Sequence, residues 1–201
     1  MPTYHTDGYV IKRHNLAEAD RILTLITYSY GKISAVARSV RKIKSKLAGN
    51  LEPFIYSEIH LAKGKNLDII TSVKPKHLFK FSQENLKLIA TAYLFMEMID
   101  KLLPSHQPNV KIFDLLTEVF YALEKGFNMG LVKQYFYLKM LKFIGHQPDL
   151  QIKKQSKAYY FSLKEGNLTN TRDDLSFAVD KDIIKFWRLI LVMDFNQIAK
   201  I

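Results

Sequence analysis

"RILTLITYSYGKISAVAR", Arg21–Arg38, decides how the first part of this chain is read. Two runs rich in β-branched residues, Arg21 to Ser29 and Lys32 to Arg38, flank Tyr30-Gly31, a turn signal between strands. In the second run Ile33, Ala35 and Ala37 fall on one face, while Lys32, Ser34, Val36 and Arg38 fall on the other. That period of two predicts a strand with one buried side.

Working outward, "YVIKRH" (Tyr9 to His14) precedes the pair, and "PFIYSEIHLAK" (Pro53 to Lys63) and "LDIITSV" (Leu67 to Val73) follow it. In the fourth run Ile55, Ile59 and Leu61 alternate with Phe54, Tyr56, Glu58 and His60. Five short strands within residues 1–80 predict a small closed barrel of the OB type. After "KPKHLFKF" the pattern turns helical. Ser82 is the expected N-cap of a helix that Pro104 follows, Pro108 and Gly126 bracket a second, and a third runs from about Gly130 to Ile144. The stretch from His146 is polar and holds a strand-like "AYYFSL". A last helix begins near Asp180; Ile183, Ile184, Phe186, Trp187, Leu189, Ile190, Leu191 and Met193 cover most of its faces, which predicts a buried helix. The expected class is therefore α+β: a five-stranded barrel over 1–80, then a helical domain over 81–201.

The chain of 201 residues carries a net charge of +11, placed unevenly. Residues 1–80 hold 14 Lys/Arg against 6 Asp/Glu; residues 81–201 hold 16 against 13. Such asymmetry fits a nucleic-acid or anionic partner for the first part, and it would equally serve a solubilising surface. There is no Cys, which excludes disulfides and thiolate metal sites. The N-terminus shows no apolar signal region, and "IIKFWRLILVM" (Ile183 to Met193) is too short to span a bilayer, so a cytoplasmic, soluble protein with no membrane partner is expected.

Catalytic patterns are missing. The six histidines lack paired ligand spacing, and no phosphate-binding Gly-rich loop or nucleophile elbow is present. The expectation is a protein that is not an enzyme, with no catalytic residue, no metal and no cofactor. What remains is the segment after the hairpin, "ARSVRKIKSKLAGNLEPF" (Ala37 to Phe54), in which Arg38, Arg41, Lys42, Lys44 and Lys46 occur with no acid among them. As a long inter-strand loop on a rigid barrel it could follow a phosphate backbone, with Arg21, Lys32, Lys63 and Lys65 extending the same surface. Outward Phe54 and Tyr56 would stack on bases or pack on the helical half. Such contacts read the backbone, and little sequence specificity is expected.

Ala19 to Phe54 as a whole resembles the N-terminal domain of the bacterial RecO family of DNA-repair proteins. Ala37, Arg38, Arg41, Lys44, Ser45, Leu47, Leu51, Glu52, Pro53 and Phe54 fall on that family's pattern, and Ser39 stands where Gly is usual. The likeness extends over the chain: Gly145, Pro148, Leu150, Phe161, Ser162 and Gly166 match a C-terminal frame that in many members carries four zinc-binding cysteines. Here those four positions hold Lys153, Ser156, Asn170 and Asp173, so the resemblance implies a degenerate, metal-free, zinc-finger-like insertion at 146–176, with Tyr159, Tyr160 and Phe161 packing inward. It further implies a recombination mediator that binds single- and double-stranded DNA, anneals complementary strands and acts with RecR to load RecA on DNA coated by SSB. An apolar site with nearby cations would receive the acidic SSB tail; Lys133, Lys139 and Lys142 beside Tyr135, Phe136 and Phe143 are one candidate, and the same stripe also reads as core. A protein–protein adaptor and an RNA-binding OB module are the rival readings, separated by salt-steep DNA binding and by competition between DNA and RNA of one sequence.

Overall fold

The computed structural model describes residues 2–80, 85–152, 156 and 158–201. The hairpin that opens the sequence reading is present: β2 (Asp20–Thr27) pairs antiparallel with β3 (Gly31–Ala37), Arg21 opposite Ala37 and Thr27 opposite Gly31. With β1 (Thr3–Leu16), β4 (Ile55–Ala62) and β5 (Asp68–Leu78) it closes a barrel in the order β1-β2-β3-β5-β4, sealed by a short parallel pairing of β3 with β5. β1 runs along both halves: its first residues pair with β4, its last with β2, and Gly8 faces Ser57 on one side and Thr27 on the other.

Alternation fills the barrel. Val10, Leu23, Leu25, Ile33, Ala35, Ala37, Ile59, Leu61 and Ile70 form one buried cluster, joined by Val40 and Leu51 from the segment between β3 and β4. Two strands are longer than their sequence signal. β5 continues through Lys74-Pro75-Lys76, where a shift of register between Tyr56 and Ser57 leaves Lys76 as an extra residue. A bulge is where a proline, lacking an N–H, fits a strand.

Helices α1 (Leu86–Leu102) and α2 (Val110–Glu124) belong to the same compact unit as the barrel, residues 1–126. Ser82 lies outside the described residues; the cap of α1 is Asn85, whose side chain accepts from the N–H groups of Lys87 and Leu88. Asn109 caps α2 in the same way through Ile112 N–H. The barrel meets these helices through an aromatic cluster. Phe120 lies 5.6 Å from Tyr9, 5.8 Å from Phe54 and 5.3 Å from Phe79, centroid to centroid. The Tyr9 hydroxyl donates to Thr117 Oγ1 at 2.9 Å, whose own proton goes to Phe113 O.

Two features of this join carry predictions. Gly31 has φ of +68°, and a Cβ there would come within 2.2 Å of Gln107 O in the α1–α2 connection. Gly31→Ala is expected to destabilise the protein by about 2–4 kcal/mol, read as a lower urea midpoint, since both a left-handed backbone and a backbone clash must be relieved. Glu124 accepts from Lys80 N–H and from His77 Nε2, each at 2.8 Å. Burial pushes its carboxyl up, but the Lys80 N–H and the His77 ring outweigh burial and hold it below the usual glutamate range. A lowered folded pKa contributes stability above the unfolded value that is lost as pH falls through the folded one. Glu124→Gln should therefore flatten the acid limb of a stability–pH curve, and parallel limbs would contradict this.

Residues 127–201 form the second compact unit. Its elements are α3 (Met129–Phe143), an antiparallel sheet of β6 (Tyr159–Ser162), β7 (Asn167–Thr169) and β8 (Ser176–Val179) in the order β7-β6-β8, then α4 (Lys181–Val192) and α5 (Phe195–Ile198). The stretch expected as a zinc-finger-like insertion is thus a small sheet with its own apolar cluster of Tyr159, Val179 and Ile184. Tyr159 is buried and Phe161 packs against the same cluster, whereas Tyr160 between them is half-buried and outside it, which corrects the inward expectation for Tyr160; neighbours on a strand face opposite sides. α4 is corrected too. Ile184, Ile190 and Leu191 are buried, but Ile183, Leu189 and Val192 are exposed, so only one stripe of this apolar helix packs inward.

Candidate nucleic-acid interface

The segment between β3 and β4 is long yet well anchored. It leaves the barrel at Ser39, whose φ of +52° is left-handed. Asp20 Oδ1 accepts from Ser39 N–H at 2.7 Å and holds that turn. The left-handed region is free of side-chain strain only for glycine, so Ser39 holds this turn at a conformational cost. Val40 then plugs into the barrel at 1% exposure, and Leu51 closes the segment at 2%. Between them Leu47 and Ala48 pack against the barrel core. Backbone bonds run Arg41 N–H to Ala19 O, Lys42 N–H to Ser39 O and Ser45 N–H to Lys42 O, at 3.0, 3.2 and 2.9 Å. The chain is therefore a series of turns pinned at both ends.

Arg38, Arg41, Lys42, Lys44 and Lys46 are all exposed. Arg41 donates to Ala17 O at the tip of the β1–β2 hairpin. Among the described residues none of the five has a carboxylate within ion-pair distance, so their charge faces solvent uncompensated. A cluster of cations held on a rigid base and free of acids can neutralise successive phosphates.

Of the four residues expected to extend this surface, Arg21 lies beside it. Its guanidinium and that of Arg13 share one carboxylate, Glu52, Arg21 at 3.5 Å. Arg13 was not singled out in the sequence, although the hairpin across Asn15 brings the pair side by side: Asn15 opposes Arg21, and Arg13 opposes Leu23. Lys32 is a correction. Its side chain is 13% exposed, its Nζ lies 3.3 Å from Asp100 Oδ1 and also donates to Asp100 O, and His106 N–H bonds Lys32 O. The outward face of β3 at that point is covered by α1 and the connection after it, so Lys32 is a tie within the fold.

Lys63 and Lys65 are exposed in the β4–β5 connection. Lys63 Nζ sits 4.6 Å from the Tyr4 ring, and that ring is 4.6 Å from Tyr30 in the β2–β3 turn. Lys63 is also paired with Asp68 at 3.0 Å. The parallel closure sets Asp68 opposite Ala35, three residues before Arg38.

The aromatic candidates resolve toward packing. Phe54 is 4% exposed and wedged between Tyr93 of α1 and Phe120 of α2, in a left-handed φ of +66° that this packing imposes. Tyr56 stacks on Tyr9 at 5.3 Å, and its hydroxyl donates to Asp7 Oδ2 at 2.7 Å. In α3, Tyr135, Phe136 and Lys139 are buried, and Lys142 Nζ donates to Leu191 O. That stripe is core, which withdraws it as a docking site.

The C-terminal frame does not suit zinc. Lys153 lies outside the described residues. Asp173 accepts from Ser162 Oγ at 3.2 Å and Leu175 N–H at 2.9 Å, while Ser156 and Asn170 offer an alcohol and an amide, neither a zinc donor of structural sites. Among the described residues no three His, Asp or Glu cluster as a metal site, and no helix is long and apolar enough to cross a membrane.

Comparison with known proteins converges on one family. The family models described as "Recombination protein O N terminal" and "Recombination protein O C terminal" match residues 1–79 and 83–201. The chain is 32% identical over 209 residues to a DNA repair protein RecO of Dehalococcoides mccartyi, covering 98% of this chain and 82% of that one. It is 28% identical over 206 residues to a protein of the same name from Alkaliphilus metalliredigens, covering 98% and 84%. A third, from Desulfitobacterium hafniense, is 35% identical over 150 residues, 75% of this chain and 55% of the relative.

Proposed function

The chain belongs to the RecO family of DNA repair and recombination proteins, and from that premise we propose how its barrel serves the role. The protein binds single- and double-stranded DNA without sequence preference, anneals complementary strands and, with RecR, helps load RecA onto SSB-coated DNA. It does so without catalysis and without a bound metal. The observation that supports this reading most is the anchored, acid-free run of five exposed cations between β3 and β4.

The physics of annealing favours such a surface. Two strands repel through their phosphates, and a basic protein face lowers that repulsion by replacing condensed counterions. Lysine and arginine on a loop contact phosphate oxygens, which carry no base identity, so any complementary pair is served. Five contacts predict a slope of about −4.5 in log affinity against log salt for duplex DNA and about −3.5 for single strands. The share of Arg13 and Arg21 not neutralised by Glu52 adds to the same field.

The test is annealing of complementary oligonucleotides, with and without SSB, across salt concentrations. Acceleration that fades as salt rises is expected; annealing no faster than the spontaneous rate at low salt contradicts the proposal. A metal assay on the purified protein is expected to find zinc well below one equivalent, because the frame positions provide no thiolate or imidazole. Stoichiometric zinc would overturn that part.

A further inference from the structure

One side chain in the cationic segment is out of place chemically. Ile43 stands between Lys42 and Lys44, and its exposure is 104%, the largest among the large apolar residues described. Every other apolar residue of the segment from Val40 to Leu51 packs on the barrel: Val40, Leu47, Ala48 and Leu51. Ile43 is therefore not a loose member of the core that slipped outward; the turns that seat its neighbours push it out. The Ser45 N–H to Lys42 O bond at 2.9 Å closes a turn with Ile43 and Lys44 at its tip.

We propose that Ile43 is an apolar wedge that inserts between adjacent bases of a DNA strand whose phosphates are held by the cations on either side of it. This rests on the DNA-binding reading above and deepens it. The surroundings select that occupant. Lys42 and Lys44 flank the tip in sequence, Arg41 and Lys46 are exposed on either side of that turn along the chain, and no carboxylate of the described residues pairs with them. A ligand that satisfies the whole tip must carry repeated negative charge outside and flat apolar surface inside, which is the cross-section of a nucleic-acid strand. Aliphatic side chains of this size are used to part base steps. A pre-formed turn presents the wedge with little ordering entropy still to be lost on binding.

The role follows mechanically. A single strand in solution is partly stacked on itself. A wedge that parts one step, while lysines grip the phosphates on both sides, leaves base edges splayed for pairing with an incoming complement. The wedge meets base faces, and every base has one, so the mechanism remains blind to sequence.

The experiment uses the full chain and a single-stranded oligonucleotide with one central 2-aminopurine, whose emission rises on unstacking. Wild type is expected to raise emission several-fold at saturation. Ile43→Ser should lose most of that rise, weaken binding by less than roughly tenfold, and keep the salt slope, since no charge changes. Ile43→Phe should restore the signal. Because the residue is fully exposed, the thermal midpoint of each variant should match wild type. An Ile43→Ser protein with the wild-type emission rise would overturn the wedge and leave phosphate binding standing. A wild type that binds with a steep salt slope but no rise would do the same, and would point to an apolar pocket on a protein partner. A wild type that binds no DNA would overturn both.

Discussion

Simultaneous replacement of Arg38, Arg41, Lys42, Lys44 and Lys46 by Glu is expected to abolish DNA binding and leave the fold intact. Each of these side chains is exposed and none is paired with a described carboxylate, so the one side-chain bond among them that is lost is the exposed one from Arg41 to Ala17 O. The change in Tm should stay within about 2 °C, as for substitutions of surface residues generally. The effect on DNA is of another order. Five attractive phosphate contacts become five repulsive ones, and a non-specific affinity in the micromolar range should fall by roughly a thousandfold or more, below detection at physiological salt. Fluorescence anisotropy with labelled single-stranded and duplex oligonucleotides reads both. Retained affinity in a folded variant would show that the segment is not the interface. Reversal of Lys63 and Lys65, which lie in the separate β4–β5 connection, should weaken binding by less than about tenfold.

The second large effect is on stability. Phe120→Ala is expected to lower the unfolding free energy by about 3–5 kcal/mol, seen as a fall in Tm of roughly 10 °C. Phe120 is fully buried and forms the centre of an aromatic set: Tyr9 from β1, Phe54 before β4 and Phe79 after β5 all lie within 6 Å of its ring. Removing the ring leaves a cavity where three barrel elements meet α2. The strained φ of Phe54 depends on that packing, so the cost exceeds simple loss of apolar contact. Phe120→Leu, which keeps most of the volume, should lose less than about 1.5 kcal/mol. Equal midpoints for Phe120→Ala and wild type in urea would mean that α2 does not brace the barrel.

The elements that were legible in the sequence are those with one clear face. Ile33, Ala35 and Ala37 alternate with polar neighbours and do line the barrel. Ile55, Ile59 and Leu61 do likewise. The elements that were not legible are those whose partners come from far along the chain. The start of β1 carries a mixed run, Thr3 to Asp7, whose strand character comes from pairing with β4 some fifty residues on. The second half of β5 hides behind Pro75 and three basic or imidazole side chains, Lys74, Lys76 and His77. β7 and β8, three and four residues long, are too short to show a period.

The candidate site divides in the same way. The five cations of Arg38–Lys46 form a contiguous run, so their common exposure could be read directly. Lys32, Lys63 and Lys65 needed tertiary information. Lys32 is covered by Asp100 on a helix that begins more than fifty residues later, and Lys63 is paired with Asp68, which the β3–β5 closure sets opposite Ala35. Arg13 joins Arg21 only through the hairpin register. Phe54 looked outward by alternation, yet its left-handed φ breaks the strand before β4 begins and turns the ring inward.

The central claim, that exposed cations between β3 and β4 grip a phosphate backbone, is tested most directly by salt dependence. Affinity for one duplex should be measured from low to moderate salt for wild type and for a variant with Arg38, Arg41, Lys42, Lys44 and Lys46 all changed to Gln. The slope is expected to be about −4.5 for wild type and to approach zero for the variant. Two parallel lines would contradict it.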